Sequence, residues 1–330
     1  MNTSTQVYVD LPPPMLQLSE PQQLERYCGT PTDRAQAWAH LSAEDLRRRA
    51  TLAANTRDVS ELWSLAEAYV TLHGAAGAKV SKNTMRAYRR GVEDLLTAWS
   101  GENLLRPSRD AAPLWIRRLE AAGKSESTIR VKLAAVRILY KALRWAKATA
   151  AEPFCDAKPA RDKTAAWDKR WPYLPGELEA LLSVAGTVDR AMVLLGAHAG
   201  LRASEMTALT WDDVDLPGRI LTVAAGKGGK RRRVVMSNTL AAALAALQRG
   251  EAKVLPFQDG RARARMRRLC AWANVAYKGL HALRHSAGTR LASERDLRAA
   301  AEHLGHSSIE TARVYAKWDN RSLQASVGAW

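Results

Sequence analysis

The stretch from Thr128 to Lys147 constrains the fold more than any other part of the sequence. Its apolar side chains recur at spacings of four and three residues, and they are Ile129, Leu133, Val136, Tyr140 and Leu143. Such spacing puts them on one side of an α-helix and predicts a helix that buries this stripe in a core. Since the pattern is helical from about residue 60 to 150, we expect a helical bundle there.

A second stripe on the same helix is basic. Its cationic side chains fall on one face of the 3.6-residue period, and they are Arg130, Arg137, Lys141 and Arg144. A helix predicted to begin at Ser81 also carries cations, at Lys82, Arg86 and Arg89. A solvated surface is the simpler interpretation of either helix alone. Two basic faces in one small bundle favour a clamp on double-stranded DNA, and we take these seven residues as candidate DNA-binding positions.

The charge balance supports a polyanionic partner. Lys and Arg number 50 against 33 Asp and Glu, which gives a net charge of +17. A membrane is not expected, because no apolar run approaches the roughly 20 residues that span a bilayer. No secretory signal is visible, and Cys28, Cys155 and Cys270 form no CxxC pair, which argues against a disulfide framework or a thiolate zinc site. We expect a cytoplasmic, nucleoid-associated protein.

The length of 330 residues is too great for one core and predicts two domains. Residues 1–58 read as an N-terminal arm, partly flexible, with a helix near 43–54. A helical domain is expected over 59–150, and a basic, proline-containing linker over 151–172 that crosses a phosphate backbone. A second domain with a C-terminal tail is expected over 173–330.

One β-hairpin is predicted in the second domain. Residues 219–223 and 233–236 alternate like strands, and a glycine-rich tip at 226–229 separates them. All other periodic segments are helical. The expected fold class is therefore mainly α with a small β-sheet (α+β).

Six residues of this domain are suited to breaking a phosphodiester, and they are Arg202, Lys227, His281, Arg284, His306 and Tyr315. Arginine forks match the oxygens of a phosphorus centre that gains negative charge, and Arg202 and Arg284 are the candidates. A tyrosine such as Tyr315 can attack phosphorus if a base or electrostatic assistance removes its proton. A histidine suits proton handling at neutral pH, and a lysine on a mobile hairpin tip could protonate the departing oxygen.

The order of these residues resembles the tyrosine recombinase or phage integrase family, of the Xer-like type. The signature consists of an arginine box at 200–205, a hairpin lysine at Lys227, a His-x-Leu-Arg box at 281–284, a Leu-Gly-His box at 304–306 and the final Tyr315. The resemblance covers about 60–330. It implies that the helical region is a SAM-like core-binding domain and that 173–330 is the catalytic domain.

The resemblance also implies residue roles. Arg202 and Arg284 would bind the phosphate, and Glu205 would orient neighbouring catalytic groups. Lys227 would protonate the leaving oxygen, although the nearby Lys230 is an alternative. His281 would handle a proton, and His306 would donate to a non-bridging oxygen. Tyr315 would be the nucleophile that forms a 3′-phosphotyrosine.

The implied activity is site-specific recombination through a Holliday junction, without metal, ATP or another cofactor. Expected partners are a specific DNA site, further protomers in a homotetramer or heterotetramer, and an accessory protein. The pairs His281 with His285 and His303 with His306 lack a third ligand for zinc. The alternatives are a type IB topoisomerase and a non-catalytic DNA-binding remnant. Chromosome segregation and mobile-element integration stay open as biological roles.

Overall fold

The computed structural model describes residues 29–164, 171–223, 231–248, 250 and 252–305. The chain divides into two compact units, residues 1–162 and residues 163–330. The described residues are mostly helical and include one three-stranded sheet, which confirms the predicted fold class. In this described part, no helix combines the length and apolarity that crossing a membrane would need.

The described part of the first unit is helical. Its helices are α1 (Pro31–Ala39), α2 (Ala43–Thr56), α3 (Val59–His73), α4 (Lys82–Ala98), α5 (Ala111–Ala121) and α6 (Glu126–Trp145). Serine hydroxyls at Ser42, Ser81 and Ser125 accept backbone N–H groups and begin α2, α4 and α6. The apolar stripe predicted on α6 is buried along its whole length.

The segment before residue 59 is packed rather than arm-like from Pro31 onward. Trp38 on α1 is 1% exposed, and its indole Nε1 donates to Ser64 Oγ on α3 over 2.9 Å. Arg34 reaches the same helix by donating to both carboxylate oxygens of Glu67. The helix expected near 43–54 is α2, which packs through alanines such as Ala50. Alanine faces carry little apolar contrast, so periodicity did not reveal this packing.

The first half of the expected linker also packs onto the helical unit. Phe154 is 1% exposed and stacks on Trp99, with ring centroids 5.3 Å apart. Further along, the Ala160 N–H donates to Glu120 and the Asp162 N–H donates to Glu126. Residues 151–162 therefore belong to the first unit in the structure. Residues 165–170 lie outside the described part of the chain.

The second unit has helices around a central apolar helix. They are α7 (Pro175–Ser183), α8 (Thr187–Ala197), α9 (Ala203–Ala208), α10 (Asn238–Ala245), α11 (Asp259–Trp272), α12 (Leu280–Glu294) and α13 (Leu297–Leu304). All residues from Ala191 to Ala197 on α8 are buried. A Cβ added at Gly196 would stand 2.6 Å from the Leu283 Cβ, so α8 and α12 approach closely at this point.

The sheet of the second unit contains the predicted hairpin and one further strand. Strand β2 (Ile220–Val223) pairs antiparallel with β3 (Arg232–Val235), and Val223 lies opposite Arg232. The additional strand β1 (Val214–Asp215) pairs with the other edge of β2. The hairpin tip at 224–230 is outside the described residues.

Candidate active site

The carboxylate of Glu205 is the centre of a buried ion-pair network in the second unit. Its Oε1 accepts from Arg202 Nη1 over 2.7 Å and from Arg232 Nη1 over 3.0 Å. Its Oε2 accepts from the Arg202 backbone N–H over 2.9 Å and from Arg232 Nη2 over 2.7 Å. Both oxygens are thus shared between the two arginines, and the three side chains together carry one net positive charge.

The local chain path explains how Glu205 reaches both groups of Arg202. Arg202 precedes α9 with extended backbone angles, and Glu205 is the third residue of that helix. A carboxylate at this helix position can turn back to the N–H of the preceding cap residue, as in a capping box. The Glu205 side chain is 4% exposed and the Arg202 side chain 33% exposed. Arg202 is therefore held at its inner side and reaches solvent at its outer side.

The ionisation of Glu205 follows from this pairing. Burial by itself raises the pKa of the Glu205 carboxyl, but hydrogen bonds from Arg232 and Arg202 outweigh it. Together they lower that pKa from its ordinary 4.5 to about 2. Glu205 is consequently ionised at neutral pH and can hold both guanidiniums.

Arg284 connects the loop after α8 to the end of α13 in the second unit. It lies on α12, is 1% exposed, and donates from Nη1 to the Gly200 carbonyl over 2.5 Å and from Nη2 to the Leu304 carbonyl over 2.7 Å. Gly200 precedes Arg202 by two residues, and Leu304 is the last residue of α13, two residues before His306. The structure therefore brings the arginine box, the His-x-Leu-Arg box and the start of the Leu-Gly-His box together.

Gly200 has a backbone conformation that suits glycine. Its φ is +64°, and a Cβ at this position would collide with Leu304 Cδ2. The chain can turn tightly here because no side chain stands between α8 and α13. This turn leads directly into Arg202.

His281 is placed differently from Arg284. His281 is exposed near the start of α12, and its ring meets that of His285 edge-on, with the centroids 4.7 Å apart. Arg284 is buried one turn further along the same helix. The i to i+3 spacing was expected to gather both residues at one pocket, but the structure gives one a solvent-facing position and the other an internal one.

Two further histidines lie beside the arginine network. The Nε2 of His303 lies 3.2 Å from the His198 carbonyl, and since the carbonyl accepts, Nε2 carries a proton. The Nδ1 of His198 lies 2.7 Å from Ser237 Oγ. Burial lowers the pKa of both imidazoles, and the charges of Arg232 and Arg284 lower that of His303 further. From the sequence, His303 was considered as part of a histidine pair for zinc, and His198 was not singled out.

Arg232 is the site residue that sequence reasoning missed. It stands in a run of three arginines at 231–233, where no single member attracts notice. The two-residue alternation of the strand could have identified it, because Arg232 shares a face of β3 with the buried residues Val234 and Met236. Arg232 is half-buried on this core-facing side, whereas Arg231 and Arg233 are exposed.

Three predicted site residues, Lys227, His306 and Tyr315, lie outside the described residues, as does the alternative lysine Lys230. Within the described part of the chain, no group of three or more His, Cys, Asp and Glu side chains is close enough to hold a metal ion.

The predicted DNA-binding residues of the first unit differ in their surroundings. Five are exposed: Lys82, Arg86, Arg89, Arg130 and Lys141. Arg89 pairs with Glu93 and Arg130 with Glu126, each within its own helix.

Arg137 and Arg144 of the same basic stripe bind the segment that follows α6. Arg137 donates from Nε to the Phe154 carbonyl over 2.9 Å and from Nη2 to the Ala157 carbonyl over 2.6 Å. Arg144 pairs with Glu152 over 2.7 Å. Their forks hold the residues that had been expected to form a linker.

Comparisons with known proteins match both units. The model of the phage integrase family matches residues 174–321, and that of the phage integrase N-terminal SAM-like domain matches residues 76–147. Tyrosine recombinase XerC of Xanthomonas campestris pv. campestris (strain B100) is 33% identical over 273 residues, covering 74% of this chain and 81% of that protein. XerC of Pseudomonas fluorescens (strain Pf0-1) is 32% identical over 281 residues, covering 77% and 91%.

A solved structure has a similar fold. The lambda integrase dimer bound to a COC′ core site superposes with a TM-score of 0.64 at 14% identity, over 78% of this chain and 77% of that chain. At this level of identity the likeness concerns the fold alone.

Proposed function

Since this chain belongs to the phage integrase family of tyrosine recombinases, we propose that it exchanges DNA strands at a specific site through a phosphodiester bond to Tyr315. The family makes the chain a site-specific recombinase and a DNA strand transferase. The proteins that this chain matches are recombinases and integrases. These matches do not favour the topoisomerase or the non-catalytic alternative. The roles of individual residues, the assembly on DNA and the domain boundaries are our proposals.

One observation carries the proposal most directly. Arg284 ties the carbonyl of Gly200 to that of Leu304, so the loop that bears Arg202 lies next to the turn that leads to His306. Glu205 holds the Arg202 guanidinium beside the same loop. Donors fixed before the reaction stabilise a developing oxyanion without reorganisation, and the loss of one costs about 3–4 kcal/mol.

The proposed reaction is a transesterification. The Tyr315 phenol oxygen attacks phosphorus, its proton passes to His281, and the bond between phosphorus and the 5′-oxygen breaks. Lys227 protonates that departing oxygen, with Lys230 as the alternative. Arg202, Arg284 and His306 stabilise the non-bridging oxygens. The products are a 3′-phosphotyrosine and a free 5′-hydroxyl, and the reverse reaction with a partner strand rejoins the DNA without ATP or a metal ion.

We further propose how the units are used. The core-binding domain comprises residues 59–150 together with the segments 31–58 and 151–162 that pack on them. Residues 173–330 form the catalytic domain, and both domains bind DNA. Four protomers, identical or of two kinds, would hold two duplexes and exchange strands in pairs through a Holliday junction. The exposed cations of α4 and α6 would contact phosphates in this assembly.

Trapping the covalent intermediate tests the proposal. Sheared genomic DNA from the native host is incubated with the full chain, and protein–DNA adducts that survive denaturation are sequenced to identify the site. A nicked suicide duplex carrying that site then allows cleavage without religation. We expect the wild type to give an adduct and Tyr315→Phe to bind the duplex without forming one. An adduct in Tyr315→Phe, or none in the wild type, contradicts the proposal.

A further inference from the structure

Arg232 occupies a position between three parts of the candidate active site. It is the first residue of β3, immediately after the hairpin segment that carries Lys227 and Lys230. Both its terminal nitrogens bind Glu205, and its side chain is 13% exposed. The sequence assigned a role in the reaction to Lys227 of the hairpin. It assigned none to Arg232.

The first connection runs from Arg232 to Arg202. Glu205 offers two oxygens, and each accepts one hydrogen bond from Arg232 and one from Arg202. A planar fork on a carboxylate fixes the orientation of both groups. Without Arg232, the buried carboxylate could rotate toward Arg202 and pull its guanidinium inward.

The second connection runs from Arg232 to the turn before His306. Gly305 follows the last residue of α13 as its C-cap and has a φ of +67°. A Cβ built at Gly305 would stand 2.6 Å from Arg232 Cδ and 3.1 Å from Arg232 Nε. The aliphatic part of Arg232 thus packs directly against this turn. The Nε is buried and has no hydrogen-bond acceptor among the residues that the structure describes.

We infer that Arg232 is a positioning residue for strand cleavage, which sets Arg202 through Glu205 and supports the turn that leads to His306. This inference rests on the proposed function, because it concerns the same site. A buried ion pair that served stability alone would have the same contacts. The test therefore has to separate the cleavage rate from folding and from DNA affinity.

The central experiment is a double-mutant cycle on the nicked suicide duplex. Arg232→Met, Arg202→Met and the double variant are compared with the wild type in single-turnover adduct formation. Arg232→Met should cleave about 100-fold more slowly, the effect expected of a misplaced catalytic group. The part of the Arg232 effect that runs through Arg202 is already lost in Arg202→Met, so the double variant should be slower than Arg202→Met by much less than 100-fold. Independent, multiplying losses would overturn the inference.

Arg233→Met is the matched control. Arg233 neighbours Arg232 on β3 but is exposed on the opposite face. We expect its cleavage rate to stay within about twofold of the wild type, because ordinary exposed substitutions have small effects. An equal loss in Arg233→Met would show that general charge near the hairpin matters, and it would overturn the assignment to Arg232.

Arg232→Lys covers the case in which Arg232→Met does not fold. Lysine keeps the charge but cannot form the two parallel bonds to Glu205. We expect a variant that binds the duplex like the wild type and cleaves at least about tenfold more slowly, since orientation is lost. A wild-type cleavage rate in Arg232→Lys would overturn the inference.

A neutral scissile group gives a readout that a purely structural role would not change. In a methylphosphonate, a neutral methyl group replaces one charged non-bridging oxygen. Cleavage of this substrate therefore depends less on the positive charge of Arg202. The Arg232→Met defect should then shrink to less than about tenfold, because the misplaced donor matters less. An undiminished defect would overturn the inference.

The wild type distinguishes failure of this inference from failure of the proposed function. If the wild type forms no adduct, the proposed function fails. If the wild type reacts and the cycle is additive, only the role of Arg232 fails.

Discussion

Arg284 donates a hydrogen bond to the carbonyl oxygen of Gly200 over 2.5 Å, inside the second unit. The same guanidinium binds the Leu304 carbonyl, so one buried charge joins the loop after α8 to the last residue of α13 through backbone oxygens. Both acceptors are backbone carbonyl oxygens rather than side-chain carboxylates. The proposed phosphate-binding role of Arg284 is therefore combined with a structural one.

Substitution of Arg284 should affect stability as well as cleavage. Arg284→Lys leaves a charge but cannot reach both carbonyls, and we expect a loss of about 2–3 kcal/mol in the free energy of unfolding. Arg290→Lys on the same helix is the control, because Arg290 is 62% exposed and pairs with Glu294 one turn away. Urea unfolding checks this. Equal stabilities of the two variants would contradict the structural role of the buried Arg284 side chain.

Gly200→Ala should destabilise the turn before Arg202. The positive φ and the collision with Leu304 together predict a loss of about 1–3 kcal/mol and slower cleavage. Gly176→Ala on α7 is the control, because an added Cβ there meets nothing within 4 Å. In a helix, that exchange should be neutral or stabilising by up to about 1 kcal/mol. Thermal unfolding of both variants decides the matter, and a Gly200→Ala protein as stable as the wild type would refute the steric argument.

The half-buried histidines His198 and His303 predict a pH dependence of stability. Burial lowers the pKa of His198 and His303 below the ordinary 6.5, so the unfolded chain binds more protons than the folded chain just below that pH. Their contribution to stability should be complete above about pH 6.5 and be lost as the pH falls. Unfolding measured from pH 7.5 downward checks this. His303→Asn should lose less stability than the wild type on acidification, and an identical slope would contradict this origin.

Arg137 and Lys141 should separate packing from DNA binding within one basic stripe. Arg137→Met loses the bonds to Phe154 and Ala157 and should lower the free energy of unfolding by about 1–2 kcal/mol. Lys141→Met changes an exposed residue and should leave stability unchanged.

Salt titration of DNA affinity completes that comparison. A clamp that engages about ten phosphates predicts a log–log slope near −9, and losing one phosphate contact should reduce its magnitude by about 0.9. We expect this reduction in Lys141→Met. A slope that stays at the wild-type value in Lys141→Met, or a nearly flat slope in the wild type, would contradict the proposed contact.

Periodicity predicted the regular elements because burial repeats along them. The α6 stripe from Ile129 to Leu143 and the pairing of β2 with β3 were both visible as patterns. Packing between elements left no such trace. Nothing local shows that Phe154 would stack on Trp99, or that α1 would bury Trp38 against α3.

The candidate site shows the same limit for charged residues. The motif boxes identified Arg202, Glu205 and Arg284, because their spacing resembles a known family. Arg232 was concealed among neighbouring arginines, since its partner Glu205 is distant in sequence and composition does not tell a paired cation from a solvated one. Likewise, Arg137 read as a phosphate contact, although its acceptors are carbonyls of its own chain.

Identification of the residue that becomes attached to DNA tests the central claim most directly. The trapped adduct is digested with protease and nuclease, and the peptide that retains a nucleotide is sequenced by mass spectrometry. The account predicts that the nucleotide is linked through its 3′-phosphate to the phenol oxygen of Tyr315. Attachment to any other residue, or linkage through a 5′-phosphate, would contradict it.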